Sequence, residues 1–261
     1  MKKALHILVW VLLAGAVVLL PAFAARERAQ LPCQGQVFSL DAGGQAALLS
    51  TRDLEDFLLH RFDTLQGRAA TDIDPGAMED WLKKHPYVLK AEAYMDMDRT
   101  LRLQVIQEQP LLRIFRASGA SVYLSRSGRI MPLREGLALR IPILSGYLGE
   151  LPVEGHSIDP QRHARLASAH RLGLLLEKDD FLRLLVSQIY IEPHGDLRME
   201  PRIGKHSIIV GDSTGLESKL ENLEAFYRQG LVRGPWDRYE LINLKYKDQV
   251  VCTKRKTYEI I

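Results

Sequence analysis

Cysteine is scarce: Cys33 and Cys252 are the only two in 261 residues. Two thiols near opposite ends of a chain build neither a disulfide framework nor a cysteine-based zinc site, and they are expected to stay separate. Long apolar runs are confined to one place, residues 4–25, which excludes a multi-span transporter. A glycine-rich phosphate loop is missing. Neither sign of charge dominates: 35 Lys and Arg stand against 32 Asp and Glu. The net charge of +3 lacks the clustered basic footprint of a nucleic-acid binder. Repeats and low-complexity tracts are absent as well. What is there, 46% hydrophobic and 26% charged residues, is globular in composition. The length suits one large domain or two small ones, either with a real core.

The apolar run follows Lys2 and Lys3 and is broken by His6, Gly15 and Pro21. At 1.5 Å per residue it reaches roughly 33 Å, enough for a bilayer core of about 30 Å. Two readings stay open. Ala22-Phe23-Ala24 fits the cleavage pattern of a signal peptide. An uncleaved anchor fits equally, with the positive-inside rule keeping Lys2 and Lys3 in the cytoplasm. Either reading exports everything after Ala25. Without Lys2 and Lys3 the remainder carries 33 basic against 32 acidic residues, close to neutrality.

The exported part opens with a weak strand near 37–40. Leu54, Phe57, Leu58 and Phe62 then recur at helical spacing behind a Ser50/Asp53 cap. A second helix starts at Asp74-Pro75, carries Met78, Trp81 and Leu82 on one face, and stops before Pro86. Alternation then predicts a hairpin. Leu89, Ala91, Ala93, Met95 and Met97 face one way, Asp98-Arg99 turns, and Leu101, Leu103 and Val105 follow. Beyond Pro110 lie short apolar runs at 111–115, 122–124, 130–133 and 141–144. A helix after Asp159-Pro160 comes next, then strands at 184–191, 196–200 and 206–210. A second helix at about 216–229 precedes a terminal hairpin, 239–246 with 249–254, turning at Lys247-Asp248. The fold class is α+β: an N-terminal transmembrane helix, a β-α-α-β-β domain, and a mixed C-terminal β domain with two helices.

Candidate chemistry is thin. Gly211-Asp212-Ser213-Thr214-Gly215 resembles the surround of a trypsin-type nucleophile, but a strand end followed by a helix entry accounts for it. His156, His163 and His170 are seven apart, about 10.5 Å per step on a helix, too far to share one ion easily. They read as a solvated helix face. The pairs Asp72/Asp74 and Asp179/Asp180 sit at helix ends, where capping explains them better than catalysis. Trp81 reads as core. No catalytic, metal or cofactor site emerges, and no small-molecule substrate is expected.

The run Gly67, Ile73-Asp74, Glu79, Leu82, Pro86-Tyr87-Val88, Ala91-Glu92-Ala93, Leu101-Arg102-Leu103-Gln104-Val105, Glu108, Pro110 resembles the POTRA domain of the bacterial cell-division family FtsQ/DivIB. Further stretches are similar in order and spacing: Tyr123-Leu124-Ser125-Arg126-Ser127-Gly128, Pro142-Ile143-Leu144-Ser145-Gly146, Val210-Gly211 with Lys219-Leu220, and Leu241 to Tyr246 followed by Val250-Val251. Met131-Pro132 and Cys252-Thr253-Lys254 resemble the Bacteroidetes-type members. Ser125 stands where the family often has Asp, Gln109 where it has Arg, and the usual hairpin proline is replaced by Asp98-Arg99.

The resemblance implies a single-pass inner-membrane protein of the division septum: a cytoplasmic tail at 1–3, an uncleaved anchor at 4–25 in the lipid, a POTRA domain at 26–109 and a β domain at 110–261, both periplasmic. It implies a non-enzymatic scaffold that recruits FtsB-like and FtsL-like coiled-coil partners for septal peptidoglycan synthesis. Tyr246, Asp248, Val250, Val251 and Lys254 fall where the family meets its partner, with Lys254 in place of an aromatic residue. The physical route is strand addition at a sheet edge. An exported peptidoglycan hydrolase and a POTRA chaperone of outer-membrane assembly or secretion are the alternatives.

Overall fold

Ser50 sets the first helix by a reciprocal cap. Its Oγ accepts the Asp53 amide at 3.2 Å, while the Asp53 carboxylate accepts the Ser50 amide at 2.8 Å. This computed structural model describes residues 32–44, 46–116, 119–231 and 236–255, with Trp10, Leu13 and Gly15. The apolar segment 4–25 therefore lies almost wholly outside the described residues, among which no helix is long and apolar enough to cross a membrane. The chain divides into two compact units. One contains Leu49–Gln107 and the chain up to Asp41; the other contains Ala42–Leu48 and everything from Glu108 onward.

The first unit runs β1 (Gly35–Asp41), α1 (Thr51–Leu59), α2 (Pro75–Leu82), β2 (Val88–Met95) and β3 (Thr100–Gln107). Its sheet has the order β1-β3-β2, with β1 parallel and β2 antiparallel to β3. The β-α-α-β-β order matches the sequence reading. Asp74 caps α2 by accepting the Ala77 amide at 3.0 Å, and Pro75 takes the first helical position. Leu54, Leu58, Met78 and Leu82 of the helices are buried, as are Ala91, Leu101, Leu103 and Val105 of the sheet. Two hairpin assignments are corrected. The pairing slips between Val88 and Lys90, so the alternation breaks there and Leu89 is 47% exposed. Met97 lies beyond β2 and is also exposed. Trp81 is half-buried rather than core: its Nε1 donates to the Phe57 carbonyl at 2.9 Å and its ring stacks on Phe57.

The second unit is built on a nine-stranded sheet. Its strands are β4 (Pro110–Phe115), β5 (Ser121–Ser125), β6 (Ile130–Met131), β7 (Ile143–Gly146), β8 (Val186–Ile191), β9 (Leu197–Pro201), β10 (Ser207–Gly211), β11 (Tyr239–Asn243) and β12 (Val251–Lys254). They lie in the order β12-β11-β10-β9-β8-β7-β4-β5-β6. The helices are α3 (Ala164–Lys178), α4 (Asp180–Leu185) and α5 (Leu216–Ala225), the last continued by a π-turn at Phe226–Leu231. Among the described residues there are three α-helices where two were expected. The Asp179 backbone is extended and ends α3, and its side chain then accepts the Leu182 amide at 2.7 Å to start α4. The expected strand start at Leu184 is thus helical.

Leu166, Ala169, Leu172 and Leu176 of α3, and Leu216, Leu220 and Leu223 of α5, join Leu112, Leu144, Ile189, Met199, Ile208 and Ile242 in one apolar core. Gly146 ends β7 with φ +96, and a Cβ there would lie 2.3 Å from the Ile191 carbonyl oxygen. This explains a glycine at the end of the Pro142 to Gly146 motif. The neighbouring motif is a tight turn between β5 and β6. Ser125 Oγ accepts the Arg129 amide at 3.0 Å, and Ser127 donates to the buried Glu108 carboxylate at 2.6 Å.

Candidate partner-binding edge

The two ends of the nine-stranded sheet differ. At β6 the open side of Ile130 is taken by a following loop: its amide donates to the His156 carbonyl at 2.9 Å and its carbonyl accepts the Gly155 amide at 2.7 Å. Ile130 and Met131 are fully buried. At β12 the ladder stops. β12 pairs antiparallel with β11, Asn243 opposite Val251, Ile242 opposite Cys252, Leu241 opposite Thr253 and Tyr239 opposite Lys254. Among the described residues no strand pairs with its other side. An unpaired strand edge presents amides and carbonyls to an incoming strand.

The terminal hairpin is shorter than the alternation suggested. Asn243 ends β11 by accepting the Lys245 amide on its side chain at 2.9 Å, an Asx turn that bends the chain away. The Leu244 amide still reaches the Ile209 carbonyl at 2.8 Å. The loop from 244 to 250 closes with the Gln249 amide on the Tyr246 carbonyl, and Asp248 adopts φ +57. Tyr246 therefore sits in the loop, 55% exposed, rather than on a strand. Val250 packs against the core, Cys252 is half-buried, and Val251 is 41% exposed. Lys254 ends β12, and past it the Arg255 amide continues the ladder to the Arg238 carbonyl at 3.0 Å. The fold brings Tyr246, Asp248, Val251 and Lys254 to one end of the sheet as exposed groups. Val250 departs from them, its side chain packed against the core.

Beside the loop lies a polar groove of about 510 Å³ whose lining includes Asp196, Asp212, Lys219, Lys245, Tyr246 and Asp248. Four of its charges are matched in two pairs. Lys245 Nζ lies 2.7 Å from the Asp196 carboxylate, and that hydrogen bond raises the lysine pKa. Asp212 is held down to about 2, first by the Thr214 hydroxyl and then by Lys219 at 3.0 Å. The Asp212 carboxylate also accepts the Thr214 amide at 3.2 Å, so the 211–215 stretch is a turn leading into α5. Gly211 has φ +80, and the Lys245 stem lies where a Cβ would point. This groove escaped the sequence reading, although Asp212 and Lys219, both at a helix entry, were a readable signal.

The histidines are not one solvated face. His156 is exposed, whereas His163 is nearly buried, its Nδ1 accepting the Asp159 amide at 3.0 Å. His170 on α3 lies 3.0 Å from the Ser125 carbonyl. No group of three potential ligands gathers among the described residues. Cys33 and Cys252 are both free thiols.

A family model described as FtsQ/DivIB, C-terminal related, matches residues 109–253, more than half of the chain. The match spans the nine-stranded sheet from the start of β4 almost to the end of β12. The chain is 29% identical to the "Cell division protein FtsQ" of Rhodothermus marinus over 189 residues, 71% of this chain and 67% of that protein. It is also 29% identical to the protein of the same name from Salinibacter ruber over 196 residues, 73% of each. The stretches picked out in the sequence from Tyr123 to Val251 fall within the family model's match, and the chain belongs to the FtsQ/DivIB family.

Proposed function

We propose that this chain is a non-enzymatic scaffold of the division machinery. In this reading residues 4–25 anchor it in the inner membrane with residues 1–3 in the cytoplasm. The first unit is a POTRA domain and the second a β domain, both periplasmic at the septum. The β12 edge and its loop receive an FtsB-like partner, and with it an FtsL-like one, by strand addition. Family membership supports the division role. One observation carries the choice of surface: the sheet is stoppered at β6 and unpaired at β12 among the described residues. Main-chain pairing would supply affinity, while Tyr246, Val251 and Lys254 would supply selectivity.

The test is capture of a purified FtsB-like partner by the full chain. Val251→Pro removes an amide and breaks the pairing of β12, and Tyr246→Glu alters the exposed loop. Each should weaken capture by about tenfold or more. Capture unchanged by Val251→Pro would sink the edge reading. Mid-cell recruitment of a fluorescent fusion checks the division role separately.

A further inference from the structure

Among the described residues the first unit's sheet has an edge of its own at β2, and the centre of that edge is occupied. Glu79, on α2, reaches across so that its Oε1 accepts the Ala93 backbone amide at 2.8 Å. A carboxylate oxygen thus stands where the carbonyl of a neighbouring strand would stand. The other oxygen, Oε2, lies 3.3 Å from Lys83 Nζ one helical turn on, which holds the side chain in place. Glu79 is half-buried. Charge-assisted bonds of this type are the stronger ones, so a strand adding here must first displace it.

The residues along β2 indicate which strand that would be. Lys90 and Glu92 flank Ala91 and pair with each other. In an antiparallel pairing of two copies about Ala91, Lys90 of each copy falls opposite Glu92 of the other. The register satisfies both charges twice and draws the Ala93 amide into the new ladder. Leu89 and Tyr94, 47% and 43% exposed, add apolar surface to the same strand. We propose that Glu79 is a plug that keeps β2 from pairing with a second copy of this chain, and that its withdrawal turns the chain into a β2-to-β2 dimer. This concerns the first unit alone and stands apart from the reading of β12.

The experiment uses the full chain, purified with detergent, in three forms. Glu79→Gln retains a carbonyl acceptor and should stay monomeric, with the Ala93 amide protected from hydrogen exchange. Glu79→Ala removes the acceptor; the Ala93 amide of its monomer should exchange roughly tenfold faster, and sedimentation should show a dimer that grows with concentration. Should the alanine variant not fold, Glu79→Asp, a methylene too short to reach, gives the same readout. Adding Lys90→Glu to the unplugged chain sets like charges opposite each other and should abolish the dimer, while Lys90→Glu with Glu92→Lys restores it. An unplugged chain that stays monomeric at all concentrations, or a dimer indifferent to Lys90→Glu, overturns the proposal.

Discussion

The ring Nε2 of His206 lies 2.5 Å from the phenolic oxygen of Tyr227, and both residues are buried. The pair joins the start of β10 to the π-turn after α5, with the Trp236 ring packed at a tilt 5.3 Å from that of Tyr227. Burial lowers the His206 pKa, and the nearby Arg255 lowers it further; the Trp236 carbonyl, Glu200 and Asp237 act the other way without reversing it. The folded state therefore prefers the neutral ring. Its stabilising contribution is complete above the unfolded pKa of about 6.5 and is lost as pH falls through the folded value. The melting temperature should drop on acidification below about pH 6.5, and His206→Gln should flatten that dependence. A wild-type profile flat from pH 7.5 to 5 would contradict this. Tyr227→Phe, which deletes the hydroxyl, should cost about 1 kcal/mol by denaturant unfolding.

Gly146→Ala should be among the most damaging single changes in the second unit. The added methyl meets the Ile191 backbone at 2.3 Å, and φ +96 is unfavourable for alanine whatever the space. A loss of roughly 3 kcal/mol or more is expected, read as a shift in the urea midpoint.

Glu108 is almost inaccessible and takes the Ser127 hydroxyl at 2.6 Å, with Arg129 Nε 3.6 Å away. Glu108→Ala leaves Arg129 facing a void beside the β5–β6 turn. We expect about 2–4 kcal/mol of lost stability, and a smaller loss for Glu108→Gln, which keeps the shape and one acceptor.

The Asp212 carboxylate offers a check on surface electrostatics. Removing its cation with Lys219→Met should raise its pKa from about 2 toward the ordinary value, visible by NMR titration. Because its folded pKa is depressed, its contribution is present above the ordinary carboxylate pKa and fades as pH falls toward the folded value. The side chain is largely exposed, so the change in stability should stay below about 1 kcal/mol.

Much of this fold was legible because its signals are local. Ser50 with Asp53, and Asp74 with Pro75, announce helix starts through caps that involve neighbours only three or four positions on. Leu101, Leu103 and Val105 alternate because one sheet face is buried. The errors fall where a nonlocal contact or a single backbone turn decides. Leu89 and Met97 continue the alternation on paper, but the slip at Val88 and the end of β2 at Met95 expose them. Leu184 suits a strand, yet the Asp179 cap starts another helical turn ahead of it. Tyr246 suits a strand too, until the Asn243 side chain turns the backbone. At the candidate site, the residue types at the end of β12 were readable. What was not readable is the closure of β6, because the atoms closing it come from a loop some 25 positions downstream.

That closure has a consequence for assembly. A head-to-tail stack of identical sheets needs two different free margins on each molecule, one to give and one to receive. Here Gly155 and His156 withhold one of them. Among the described residues, therefore, one copy's β12 finds no free β6 margin on the next, and crowded copies are barred from continuing one another's nine-stranded sheets by that junction.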